Sequence, residues 1–306
     1  LILVTGATGM FGSRTFREVR NRGADVAALV RDADRGRRAL GPDATLVVGD
    51  MDRPETLDAA MDGVDTVFLV SPMDDRIADR ELATVDAAHR AGVRRIVKLH
   101  GAVRHEDALG ALHRRSIDAI AGSGMRWALL SPNSVMETSL YSQAAAIQAS
   151  GEMWGCAGDG RVGLVAADDV GRAAAAVLVD RGDAADGTDF RITGPEALSM
   201  ADMARTLTSA LGREVGYHDL PEDEFLAVLV QQTGMPAEVA EIAVVAHFRA
   251  WRQGLADLVT DTYTELTSLP PTSLADWAAD HASAFTGDAL AGPSVPAPAG
   301  ESVAGG

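Results

Sequence analysis

Through the first half of the chain, short apolar runs alternate with longer stretches whose apolar positions recur at helical spacing. The runs fall at Leu1 to Thr5, Asp25 to Val30, Thr45 to Gly49, Thr66 to Val70, Arg95 to Leu99 and Arg126 to Leu130. They are nearly continuous rather than alternating, as strands are when helices cover both faces of a parallel sheet. Between them Phe11 to Arg22, Glu55 to Met61, Asp79 to Ala91 and Ala108 to Gly122 have the helical period. Gly23, Gly92 and Gly124 stand where those helices must stop. The pattern predicts βαβ units and an α/β, doubly wound, Rossmann-type sheet.

After Pro132 the pattern loosens. It predicts a helix over Val135 to Ser150, a glycine-broken stretch from Gly151 to Gly163, a helix over Asp168 to Val179 and a strand over Phe190 to Thr193. Further helices are predicted over Ser199 to Leu211, Pro221 to Thr233, Pro236 to Gln253 and Leu274 to Phe285. The expected division is a dinucleotide-binding domain over 1–150, to which 164–193 return, and a smaller, mainly helical lobe over 151–163 and 194–286. Residues 287–306, rich in Ala, Gly, Pro and Ser, are expected to be a disordered tail.

The first apolar run ends in Thr5-Gly6-Ala7-Thr8-Gly9-Met10-Phe11-Gly12, the Gly-x-x-Gly-x-x-Gly turn between a strand and a helix. In that context Gly6 permits the sharp turn, Gly9 lets backbone approach a pyrophosphate, and Gly12 lets helix and strand pack closely. A tight turn without a ligand is the plain alternative. At the end of the second strand, where an NAD-preferring site places an acidic residue against the ribose, the chain reads Arg31-Asp32. Arg31, with Arg35, Arg37 or Arg38 behind it, suits a 2′-phosphate and favours NADPH over NADH; the later arginines also fit an exposed helix face.

Ligands in such sheets lie outside the carboxyl ends of the strands. Asp50 and Met51 follow the third strand and suit the adenine, although Asp50 fits a turn or cap equally well. Val70, Ser71 and Pro72 follow the fourth and should approach the nicotinamide ribose. His100 follows the fifth, to bond ribose or substrate or simply to end the strand. Pro132 and Asn133 end the sixth, facing the nicotinamide carboxamide.

Composition narrows the partners. The net charge of −17 over 306 residues disfavours attachment to nucleic acid or anionic membranes. No apolar run approaches the roughly 18 residues of a membrane span, and no secretory leader is visible. Cys156 is the single cysteine, which excludes an intrachain disulfide and suits a cytoplasmic setting. His100, His105 and His113 lack the close spacing of a metal site. A homo-oligomer is compatible with the sequence.

With these residues in view the chain resembles the NmrA-like, atypical branch of the short-chain dehydrogenase/reductase superfamily, including its NAD(P)H:quinone oxidoreductase-like members. The likeness runs from residue 1 to about 286 and is carried by the glycine turn, V-R-D at Val30, G-D-M-D at Gly49, His113 ahead of Gly124, L-S-P-N at Leu130, A-D-D-V-G at Ala167 and T-G-P-E-A-L-S at Thr193. It implies a Rossmann sheet with a smaller lobe closing over the substrate. Ordinary superfamily members use a Tyr-x-x-x-Lys pair for proton exchange. Here tyrosine occurs only at Tyr141, Tyr217 and Tyr263, and Lys98 is the sole lysine, so no such pair exists.

Two readings remain. In one, hydride passes to an already electrophilic acceptor, a quinone or enone, which needs only positioning and a proton donor. His113, where the resembled family often has histidine, is the candidate donor; Tyr141 on the following helix is a lesser candidate. In the other, the protein senses the dinucleotide without turnover and signals through protein contact. Met153, Trp154 and Phe225 read as core or pocket wall, and Asp169 as the cap of the helix at Val170.

Overall fold

The computed structural model describes residues 1–102 and 108–286; the expected tail and His105 lie outside the described residues. The apolar runs form parallel strands: β1 (Ile2–Val4), β2 (Val26–Val30), β3 (Leu46–Val48), β4 (Thr66–Leu69), β5 (Arg95–Leu99), β6 (Arg126–Pro132) and β9 (Asp189–Ile192). They assemble into a seven-stranded sheet in the order β3-β2-β1-β4-β5-β6-β9. The order reverses between β1 and β4, which places a topological switch point at the glycine turn.

The register sorts the side chains by face. Leu3 pairs with Ala27 and Val67, and Val67 with Ile96; these pack beneath α3 (Leu57–Ala60), α4 (Ile77–Arg90) and α5 (Ala108–Gly122). Val4, Ala28, Phe68 and Val97 face the other way, against α1 (Met10–Asn21) and α8 (Ala167–Ala175). Gly23, Gly92 and Gly124 adopt φ of 74°, 75° and 77°, left-handed stops behind α1, α4 and α5.

The exposed helix offered as the alternative for the later arginines is present as α2 (Ala33–Leu40), which follows β2 and is capped by Asp32 through Arg35 N–H at 2.6 Å. The expected helix over 135–150 is divided into α6 (Met136–Tyr141) and α7 (Ala144–Ser150), and Gln143 at the break accepts the Trp154 N–H on its carboxamide oxygen at 2.9 Å. The helix from Ala167 widens into a π-helical turn at Ala176–Asp180. Asp169 does not cap it. Ala166 holds that position, and Asp169 lies fully buried inside the helix, bonded to Arg172 at 2.6 Å and to the Thr272 N–H at 2.7 Å.

The glycine-broken stretch contains two strands too short for a pattern to show. β7 (Glu152–Gly155) pairs in parallel with β11 (Gly216–Asp219), and β8 (Arg161–Gly163) antiparallel with β10 (Ala197–Ser199). They frame the lobe with α9 (Met200–Leu211), α10 (Glu222–Thr233), α11 (Ala237–Ala240), α12 (Ala246–Arg252), α14 (Leu274–Asp280) and α15 (Ser283–Thr286), whereas α13 (Thr262–Thr267) returns to the sheet. The lobe core gathers Phe225, Phe248, Trp251, Trp277 and Phe285. Met136, Leu140 and Ile147, assigned by pattern to the first domain, pack into this core instead, which moves the packing boundary from residue 150 to the end of β6. Glu137 joins the halves: one carboxylate oxygen accepts the Ala167 N–H that opens α8 at 2.9 Å, the other the Trp277 indole N–H at 3.1 Å. No helix among the described residues is long and apolar enough to cross a membrane.

Candidate active site

The glycine turn is built from backbone fit. Thr5 Oγ1 accepts the Val70 N–H and donates to the Val70 carbonyl, both at 2.7 Å, locking β1 to the end of β4. Gly6 has φ of 56°, and a Cβ there would lie 2.9 Å from the Val70 carbonyl oxygen. A Cβ on Gly12 would lie 2.2 Å from the Gly6 carbonyl oxygen, closer than any contact allows. Thr8 and Gly9 are exposed, while Met10 and Phe11 are half-buried.

Helix α1 opens at Gly9 with no side-chain cap and no acidic residue in its first turn. Its first N–H groups lack intrahelical acceptors, as in any helix, and form a ready anion cradle. By contrast α2 is capped by Asp32 with Asp34 in its first turn, and α9 carries a Ser199–Asp202 capping box. The cradle therefore fits a dinucleotide pyrophosphate.

Around it stand the strand ends. Arg31 is exposed just beyond β2, and Asp32 beside it caps α2 with one carboxylate oxygen. Asp50 turns its carboxylate to the Asp52 N–H at 3.0 Å, the turn role set against its adenine role, with Met51 half-buried beside it. Buried Arg80 on α4 bonds Asp52 at 2.8 Å and Asp74 at 2.6 Å, tying the loop after β3 to the loop after β4. Ser71 donates to Glu81 Oε1 at 2.8 Å, which also takes Lys98 Nζ at 2.5 Å. Burial pushes the Lys98 ammonium below the usual lysine range, opposed by the Glu81 charge. Pro72 is exposed.

His100 and His113, separated in sequence, meet edge to face with ring centroids 4.8 Å apart. Each is buried, at 7% exposed. The backbone after β5 is held along β6 by His100 N–H to Leu130 and Ala102 N–H to Pro132, both at 2.9 Å. Asn133 donates its amide to the Ala256 carbonyl at 2.8 Å, fastening a lobe segment to the end of β6, while its Oδ1 is buried without a hydrogen-bond partner.

Tyr141 packs among Trp277, His281 and Phe285 with centroids 5.5, 6.1 and 6.2 Å away. Burial, then the Glu137 charge, pushes its phenol above the usual range. Tyr263 bonds Arg172, and Tyr217 bonds Asp219. The sequence reading missed Glu81 and Arg80. A lysine inside an apolar strand was the available signal, because a buried ammonium requires a partner.

A profile of the NmrA-like family matches residues 1–106. The chain is 32% identical over 288 residues to NAD(P)H azoreductase of Xenophilus azovorans, covering 93% of this chain and 99% of that one. It is 35% identical over 296 residues to (4-alkanoyl-5-oxo-2,5-dihydrofuran-3-yl)methyl phosphate reductase of Streptomyces griseus, covering 93% and 99%. Its fold matches the NADPH-dependent quinone oxidoreductase of Escherichia coli complexed with NADPH, with a TM-score of 0.83 and 25% identity over 92% of this chain and 99% of that one. By full-length likeness and by its glycine turn, the chain belongs to the NmrA-like family of atypical short-chain dehydrogenases/reductases.

Proposed function

We propose that this chain uses NADPH in preference to NADH to reduce a quinone-like or enone acceptor, with His113 as proton donor. That it is an NAD(P)H-dependent reductase acting on an electrophilic acceptor rests on its full-length relatives. The observation that carries the reading is the uncapped, acid-free start of α1 behind a glycine turn at the switch point.

The bound dinucleotide would supply hydride. The chain's own residues do the rest. The first N–H groups of α1 hold the pyrophosphate, Arg31 meets the 2′-phosphate, and Asp50 with Met51 borders the adenine. Val70, Ser71 and Pro72 line the ribose side, and Pro132 with Asn133 the carboxamide side. His113 donates a proton to the reduced acceptor, and His100 fixes the plane of its ring by edge-to-face contact. Because the acceptor is already electrophilic, the missing Tyr-x-x-x-Lys pair is no obstacle. The single thiol, Cys156, is pushed up to about 12, first by burial, which leaves it unreactive at neutral pH.

Incubation with NADPH and a panel of quinones, azo dyes and enones should consume reduced-nicotinamide absorbance. Binding without turnover across the panel would revive the sensor reading. His113→Ala should lower kcat by about a hundredfold with NADPH affinity nearly unchanged; an unaltered kcat would remove His113 from the mechanism.

A further inference from the structure

Glu81 belongs to no expected site, yet it is 1% exposed and its Oε1 accepts from two groups of opposite location: Lys98 Nζ, fully buried in β5, and the Ser71 hydroxyl at the crevice edge. A serine hydroxyl has one hydrogen and two lone pairs, and a carboxylate only accepts. With its hydrogen committed to Glu81, Ser71 can offer the crevice nothing but lone pairs. Its place is equally constrained. Ser71 directly follows Val70, whose N–H and carbonyl are both gripped by Thr5 and whose carbonyl abuts Gly6.

We propose that the Lys98–Glu81 pair is a positioning device that makes Ser71 an obligate hydrogen-bond acceptor for a hydroxyl of the nicotinamide-side ribose. This rests on the dinucleotide reading above. The ribose hydroxyl, which can donate, matches it; a group with only lone pairs at that place is refused. The sole lysine, excluded from proton relay, is thereby used to fix the direction of one hydrogen bond. Neither Glu81 nor Lys98 touches the ligand, so both are positioning residues.

The test is equilibrium binding, independent of turnover. Dissociation constants are measured by calorimetry for NADPH and for analogues lacking the 2′- or the 3′-hydroxyl of that ribose. For the wild type, deleting one of the two hydroxyls should weaken binding about tenfold. Ser71→Ala should weaken NADPH about as much and leave that analogue unaffected, abolishing the discrimination. Glu81→Leu with Lys98→Met, which removes both charges and the acceptor of the Ser71 hydrogen at similar volume, should also erase most of it. Should that double variant fail to fold, Glu81→Asp keeps the charge but draws the carboxylate back, and an intermediate discrimination is expected.

Equal losses for NADPH and both analogues in Ser71→Ala would overturn the ribose contact. Full discrimination in Glu81→Asp or in the double variant would overturn the positioning role. If wild-type protein fails to bind NADPH at all, the dinucleotide reading itself falls, a result distinguishable from either.

Discussion

The sheet and the lobe are built from different material. On the sheet's two faces the buried residues are overwhelmingly aliphatic, with Phe16, Phe68 and Tyr263 the aromatic exceptions among those described. The lobe packs Phe225, Phe248, Trp251, Trp277 and Phe285 against methionines such as Met153, Met200 and Met203. The nucleotide side accordingly works through backbone that tolerates no added atom, as at Gly12. The lobe core is instead closed by large buried rings and flexible thioethers, which pack less rigidly than a backbone-on-backbone contact.

Truncating a lobe ring is the strongest challenge to this contrast. Trp277→Ala should cost about 3–5 kcal/mol and in addition leave Glu137 Oε1 without its indole partner. Thermal denaturation followed by circular dichroism should show a large fall in Tm, while calorimetry in the cold shows NADPH affinity largely kept. Loss of that affinity would show that the two regions are one packing unit.

Gly12→Ala challenges the other side. A Cβ placed 2.2 Å from the Gly6 carbonyl oxygen must displace backbone. NADPH affinity should fall by about a hundredfold, roughly 3 kcal/mol, at modest cost in stability; intact binding would show that the turn yields. Arg31→Ala should weaken NADPH about tenfold and leave NADH almost untouched, since it removes a charge-assisted bond to the 2′-phosphate alone. Equal losses for the two would remove Arg31 from that role.

The smallest effect sharpens the contrast between capped and uncapped helices. Asp202 is held below the usual 3.8, first by the Ser199 N–H and then by the Ser199 hydroxyl, in the α9 capping box. A depressed carboxyl contributes stability that is whole above its unfolded value and vanishes as pH falls through its folded one. The stability gap between wild type and Asp202→Asn should therefore narrow below about pH 4, measured by urea denaturation. A gap constant down to strong acid would exclude the cap as its source.

Local patterns were legible where the physics is local. Nearly continuous apolar runs predicted six strands of the main sheet, the seventh was expected separately over Phe190 to Thr193, and Gly23, Gly92 and Gly124 marked three helix ends. The strand Arg161–Gly163 could not be seen, because so short a segment with glycine at its end has no period. The break between α6 and α7 falls at Gln143, whose side chain reaches Trp154, a tertiary contact that a local pattern does not carry. In the crevice, the glycine turn was visible as spacing, whereas the meeting of His100 with His113 and of Ser71 with Glu81 depends on strand order.

Glu137 bears on how such a protein can be re-engineered. Its carboxylate sits on the lobe side of the boundary but closes the first turn of α8, which packs on the sheet through Val170, Ala173 and Ala174. A chimaera that grafts a foreign lobe onto this sheet therefore inherits an open helix unless the graft brings its own acid at that place. An intact lobe is therefore best exchanged between relatives as a piece that begins directly after β6, with the α6 acid carried inside the transplant.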